Sequence, residues 1–432
     1  MLALEVETAQ ISEMFQRFTA AIGDKHWCSR VRKCKEAIRG NVFLREYLIR
    51  ENDIAFQLDH LSELAQRYGR IPLIDVENRA IYPAASFVAQ ALSIMDDATK
   101  ENARRFRRRI HGALKNPSDM RGLQLELTAA THFARRGRII SWPETAGAGI
   151  FDLLVDGDGP EPLEVECKSI GDDKGYRIRR QDMIEFFALL KPHLQGTTKG
   201  LVKGLSVVVT VPDRLPISYK ERVALAKELG RAVFAGSDCF LANGSSVQIT
   251  DFDVSQLGNV PTHRCQEMRT TIDGITGTDN RSAVIIGTNA GGALVLLIQS
   301  QRDDSLLISV FKTLSDAAKN QLTRSRAGML FVSFDGLASD ELFSIAEQDQ
   351  DPARRPTALR VAVSDFLSSP ARDHVIGVGF VSRNAIQPVQ HGLVESGSTA
   401  YYFPKRESLF WSEGFCGMFD WLPEHLLRWH GE

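Results

Sequence analysis

The sequence predicts an α/β protein: a core with a mixed sheet, preceded by an all-α segment and followed by a second α/β segment. Three observations carry that expectation. Residues 1–117 place apolar side chains at three- and four-residue spacing and hold almost no strand-like run. Residues 118–257 alternate short apolar runs with helical periods. Residues 258–432 do the same again.

The elements follow in order. Helical spacing runs through Ile11–Ile22, Val31–Ile38, Ile54–Leu64 and Phe87–Leu114, with Gly23, Gly40 and Gly69 where C-caps belong. The stretch KNPSDMRG marks a boundary. A helix over Leu123–Arg136 is then expected to stop at Gly137. RIISW, FDLLVDG and PLEVECKSI read as three short strands separated by Gly, Pro and Asp turns. A helix over Arg179–Lys191 and the apolar run GLSVVVTV are expected to complete the same layer. Another helix, Ser218–Phe234, and short strands around Phe240–Ile249 close that segment. In the last segment AVIIG, ALVLLIQ, SLLISVF, MLFVSF and VIGVGFVS read as strands. Lys312–Thr323, Ser339–Asp349 and Ala358–Leu367 read as helices. The tail is rich in aromatics, Trp421 and Trp429 among them.

Composition bounds the class. The chain has 432 residues, too many for one ordinary core, so two or three domains are expected. The formal net charge is -2, so any nucleic-acid surface would have to be a local basic groove. Six cysteines without CxxC spacing argue against a disulfide framework and suit a reducing compartment. No run of eighteen apolar residues occurs, and the first residues do not read as a secretory signal, so a cytoplasmic protein without a membrane span is expected. The P-loop pattern and the G-x-S-x-G elbow are both lacking, which removes Walker-type ATPase and serine-hydrolase chemistry.

The chemistry gathers in LEVECKS, residues 163–169. Along a strand, Glu164, Glu166 and Lys168 share one face and Leu163, Val165 and Cys167 the other. Asp152 is a single carboxylate within the apolar run IFDLLV, and DGDGPEP can turn the chain into an antiparallel hairpin that brings Asp152 beside Glu166. Clustered carboxylates disfavour each other's ionisation unless a cation lies between them, and an all-oxygen set favours magnesium or manganese over zinc. Lys168 beside such a pair could stabilise negative charge on a phosphoryl oxygen. The preceding helix adds Glu126, the one charge on the inward stripe Leu123, Glu126, Leu127, Ala130, Phe133 and Ala134. The bland alternative is an exposed amphipathic hairpin.

Helix with Glu126, then Phe151-Asp152, a hairpin, and Glu166-Cys167-Lys168 resembles the PD-(D/E)xK nuclease superfamily over residues 119–212. Phe151 stands where the family's name has proline. The resemblance implies a restriction-endonuclease-like α-β-β-β-α-β core in residues 118–257 and Mg2+, replaceable by Mn2+, on Asp152 and Glu166. It also implies Lys168 as the catalytic lysine, with Glu126 in support. SLLISVFK, a helix and MLFVSF repeat the order strand, helix, strand, so residues 258–432 could hold a degenerate second copy with Val310 at the carboxylate position.

Arg177, Arg179 and Arg180 crowd the start of the helix after the lysine strand, where a backbone phosphate would balance them, and Gln181 follows as a substrate contact. They are read either as a nucleic-acid grip or as a solvated turn. The helix ARRFRRRIHGAL offers the same two readings. The expected function is a magnesium-dependent nuclease acting on DNA, in defence against foreign DNA or in repair. Nucleic acid is the expected partner, alongside a homodimer and a separate sensor or motor protein. The alternatives are a ribonuclease with the same metal chemistry and a non-catalytic nucleic-acid-binding protein that keeps the fold.

Overall fold

The stripes of the first segment explain its helices. Ile11–Ile22 buries Ile11, Phe15, Phe18 and Ile22 along one face, and Gly23, at φ +83°, ends it. Lys25–Gly40, Leu44–Glu51, Asp53–Tyr68, Tyr82–Asp97 and Lys100–Ala113 follow. Trp27, Leu58, Tyr82 and Phe106 join Phe18 in one helical core. The computed structural model describes residues 2–41, 44–72, 81–147, 149–156, 162–171, 173–258, 265–278, 283–334, 337, 339–382, 386–388, 393–396 and 400–419. Residues 157–161 of the expected hairpin turn, and Trp421 and Trp429, lie outside the described residues.

By its contacts the chain divides into two units. The first comprises Met1–Lys35, Ile49–Lys174 and Leu307–Glu432; the second comprises Glu36–Leu48 and Gly175–Leu306.

In the first unit the helix Pro117–Arg135 starts on Asn116, whose side chain accepts from the Ser118 N–H, with Pro117 in the first turn. Leu123 and Leu127 join the helical core, while Leu125, Ala129, Ala130 and Phe133 pack on a sheet. That sheet has six strands in the order Ala400–Pro404, Val375–Val381, Gly328–Phe334, Leu163–Ile170, Leu153–Asp156, Ile139–Ser141. The second, third and fourth are mutually parallel, and the outer pairings are antiparallel. Middle parallel strands are covered on both faces, which is why MLFVSF, but for Ser333, and VIGVGFV are apolar. The expected hairpin forms, with Leu153 opposite Val165 and Val155 opposite Leu163. A small antiparallel sheet of Val6–Glu7, Leu393–Ser396 and Ile386–Pro388 belongs to the same unit.

The second unit holds a mixed five-stranded sheet ordered Cys239–Phe240, Ser246–Phe252, Gly204–Val211, Ala293–Ser300, Ala283–Gly287. The helices Arg180–Thr198 and Tyr219–Ala235 share a core with it through Phe187, Leu190, Leu229, Val207 and Leu296. The Ser305 N–H donates to the Gly175 carbonyl at 2.9 Å, so the long segment of this unit begins and ends at one place.

Two expectations are corrected. The run GLSVVVTV and the helix before it do not complete the layer of the lysine strand; they belong to the other sheet and unit. The strand beside the lysine strand is Gly328–Phe334, reached through the helix Leu306–Asn320. SLLISVF is therefore helix, and the strand–helix–strand order that suggested a second copy does not form. Its apolar residues were ambiguous between the two periods. As a helix, Val310, Leu314, Ala317 and Ala318 fall on one buried face, and Ile308 is turned outward. Among the described residues, no helix is long and apolar enough to cross a membrane.

Candidate metal centre

Asp152 lies just before the strand Leu153–Asp156, one residue beyond the pairing of Leu153 with Val165 and so on the Glu166 side of the ladder's end. Its Oδ2 accepts from the Cys167 N–H at 2.8 Å, a bond that ties the carboxylate to the lysine strand. On that strand the Lys168 ammonium donates to Glu166 Oε1. Glu166 is 1% exposed. Its alternate neighbours Val165 and Cys167 enter the sheet core, as the period of two requires.

Glu126, 3% exposed on the helix Pro117–Arg135, accepts from Arg109 Nη2. The same nitrogen lies 3.7 Å from Glu144 Oε2 and 4.0 Å from Asp152 Oδ1. Four carboxylates, Glu126, Glu144, Asp152 and Glu166, thus interact with two cations, Arg109 and Lys168. Fully ionised, the cluster carries an excess of two negative charges.

Burial first, and charge crowding after it, show in the carboxyl groups. Burial, then the Asp152 charge, pushes Glu166 up to about 7 against the pull of Lys168. Burial and the Asp152 charge also hold Glu126 well above the usual carboxylate range, although Arg109 opposes them. Asp152 is raised by burial, with the Cys167 N–H and Lys168 acting in the other direction. Burial raises the Cys167 thiol well above its ordinary value, and its contribution is packing and its backbone N–H.

A metal can be tested against these atoms. Glu126 Oε2 and Glu166 Oε2 are buried without a hydrogen-bond partner, a costly state for an ionised oxygen and an inviting one for a hard cation. Among the described residues, no group of three or more His, Cys, Asp or Glu side chains is disposed to hold a metal ion. A protein shell would thus come from two carboxylates, the remaining positions going to water as magnesium allows. By donor chemistry and charge, though not by a preformed set of three ligands among the described residues, the centre suits a hard divalent ion.

Sequence reasoning misses two residues of this site. Arg109 belongs to the basic run ARRFRRRIHGAL. Yet it directly precedes Ile110 and so flanks the buried stripe Ala103, Phe106, Ile110 and Ala113, whereas Arg104, Arg107 and Arg108 are exposed. Glu144 lies on the short helical turn Pro143–Ala146 and carried no signal by spacing. Glu164, on the expected face, serves elsewhere: it is fully buried and accepts from the Thr323 N–H and hydroxyl at 2.8 and 2.6 Å.

The four residues expected at the phosphate belong to the second unit. Each has a partner there. Arg177 Nη1 lies 3.4 Å from Asp213 Oδ1, and its N–H donates to Asp304 at 2.7 Å. Arg179 donates to Asp182 at 2.6 Å, and Arg180 lies 3.9 Å from Glu46. Gln181 donates to Glu185 at 2.8 Å. Burial opposes ionisation of Asp182, but hydrogen bonds from Arg179 and Arg222 outweigh it and hold the carboxyl below its usual range.

The fold and site define a mixed α/β protein with a buried carboxylate–lysine centre at the edge of a hairpin. Comparison with family models, with curated proteins and with solved structures finds no match to this chain.

Proposed function

We propose that the chain is a divalent-metal-dependent phosphodiester hydrolase acting on DNA, built on a restriction-endonuclease-like core of the PD-(D/E)xK kind. The observation that carries the reading is the Asp152 carboxylate bonded to the backbone of Glu166-Cys167-Lys168, with Glu126 interacting with it from the preceding helix. The element order supports the finer fold. Helix Pro117–Arg135, three antiparallel strands, helix Leu306–Asn320 and the parallel strand Gly328–Phe334 follow α-β-β-β-α-β once residues 175–305 are read as an insertion.

In this reading Asp152 and Glu166 hold Mg2+, or Mn2+ in its place. Bound there, the ion supplies Lewis-acid polarisation of a phosphoryl oxygen and a water acidified enough to attack. Lys168 presents an ammonium where negative charge develops on the phosphate, and Glu166 orients it through their ion pair. Glu126 supports the site by holding Arg109, whose guanidinium lies 4.0 Å from Asp152. Arg177, Arg179, Arg180 and Gln181 would grip the nucleic-acid backbone only after leaving their present partners.

The test is incubation with plasmid, linear and single-stranded DNA and with RNA, in magnesium, manganese or EDTA. Cleavage that needs the metal is expected, falling on the order of a hundredfold or more in Lys168→Ala and Asp152→Ala. Activity surviving both substitutions would overturn the assignment of the centre. Cleavage confined to RNA would change the substrate and keep the chemistry.

A further inference from the structure

We infer that Arg109 is the internal counter-ion of the carboxylate centre, competing with the divalent cation for it and so setting the affinity for metal. The inference rests on the metal reading above and adds a regulator of the same site.

The geometry is specific. One guanidinium nitrogen, Nη2, bonds Glu126 and lies 3.7 Å from Glu144 and 4.0 Å from Asp152, so a single positive group faces three of the four carboxylates. The remaining carboxylate, Glu166, has Lys168. Each acid thus has a cation nearby, yet the satisfaction is incomplete. Arg109 Nη1, Glu126 Oε2 and Glu166 Oε2 are all buried without hydrogen-bond partners. A guanidinium that served only as a structural brace would be expected to use its planar fork bidentately. Here it meets Glu126 through one nitrogen and leaves the other donor unmatched. Arg104, Arg107 and Arg108 face solvent, and Arg105, one turn earlier, bonds Glu101 and the Ala146 carbonyl instead of the centre.

A divalent ion on Asp152 and Glu166 would feel the guanidinium as a like charge, because Arg109 keeps its proton at every working pH. Either the side chain withdraws from Asp152 when the ion arrives, or the ion binds more weakly than the carboxylates alone would allow. Both routes lower metal affinity, and both leave the metal-free protein better neutralised. The arginine therefore holds the site together without metal and is partly displaced by it.

Calorimetric titration of the full-length protein with MnCl2 tests this, with wild type, Arg109→Lys, Arg109→Met and Asp152→Asn compared, together with melting temperatures in EDTA and in saturating manganese. Arg109→Met should bind manganese about tenfold more tightly than wild type, a change of about 1.4 kcal/mol. It should melt lower than wild type in EDTA and lose that deficit in manganese. Arg109→Lys, which keeps the charge, should stay near wild type. An unchanged or weakened affinity in Arg109→Met, with wild type still binding, overturns the counter-ion role and leaves the metal reading intact. No binding in wild type or in either Arg109 variant overturns both. If Arg109→Met does not fold in EDTA, recovery on adding manganese supports the role and failure to recover overturns it.

Discussion

A carboxylate as enclosed as Glu166, facing Asp152 and Glu144 with Lys168 as its ion-pair partner, gives up its proton late, at about pH 7. An unfolded glutamate titrates near 4.5. Folded affinity for the proton is thus the higher one, and the associated stability is fully present below about pH 4.5 and lost as pH rises through 7. Glu126 shifts in the same direction. The metal-free protein should lose stability from these groups as pH rises from 5 to 8. Magnesium should raise the melting temperature more at pH 8 than at pH 5, since binding displaces protons from its ligands. Melting curves with magnesium or EDTA at the two pH values check this, and equal shifts would speak against a metal on these carboxylates. Asp152→Asn tests the same centre by another route. The amide can still accept from the Cys167 N–H while removing one charge, so fold should persist as metal affinity and cleavage fall.

At the scale of elements, the lysine strand is fixed from two sides. The hairpin supplies Asp152, and the loop after Leu306–Asn320 supplies Thr323, which gives both its N–H and its hydroxyl to Glu164. Removing that acceptor strands two donors and opens a void beside the strand. Glu164→Ala should therefore destabilise the fold by about 2–4 kcal/mol, read from chemical denaturation. A loss below about 0.5 kcal/mol would mean the tie is replaceable by water. The helix Leu306–Asn320 offers a sharper contrast, because Val310 is fully buried and Ile308 is exposed. Val310→Asp should unfold or severely destabilise the protein, while Ile308→Asp should change its melting temperature little. A strand over 305–311 would place the two residues on the same face and give them similar effects.

For the whole molecule, the long segment of the second unit leaves and returns at neighbouring backbone positions, Gly175 and Ser305. Such an arrangement is how one domain is inserted into another. Replacing residues 176–304 with a short Gly/Ser linker should leave the six-stranded sheet and the helical core folded, with a single cooperative melt. Leu44 and Tyr47, which pack on the core of the second unit, would lose their partners, so local fraying around residues 36–48 is the expected cost. Circular dichroism and hydrogen exchange on the deleted chain check this, and a deletion product with no cooperative transition would show that the two units fold interdependently.

Much of the local organisation was legible in the residues themselves. Periodicity located most helices of the first segment and most strands, because the face a residue buries depends on neighbours three, four or two positions away. It missed Leu44–Glu51, and the stretch Phe87–Leu114 breaks at Ala98, where Thr99 caps a new helix. The hairpin that joins Asp152 to the Glu166–Lys168 strand was legible for the same reason: both strands are short, adjacent in sequence and separated by turn residues. The inward carboxylate at Glu126 announced itself as one charge in an apolar stripe. Tertiary structure alone decided which strand lies beside the lysine strand, since pairing Leu330 with Glu166 spans more than 160 residues and no local pattern records it. It alone resolved SLLISVF as helix, where β-branched residues suit either period and burial of Val310 breaks the tie. It also selected Arg109 from a run of arginines. Spacing marks that residue as a neighbour of the buried stripe, but the carboxylates that turn it inward come from Glu126, Glu144 and Asp152, brought together only by folding.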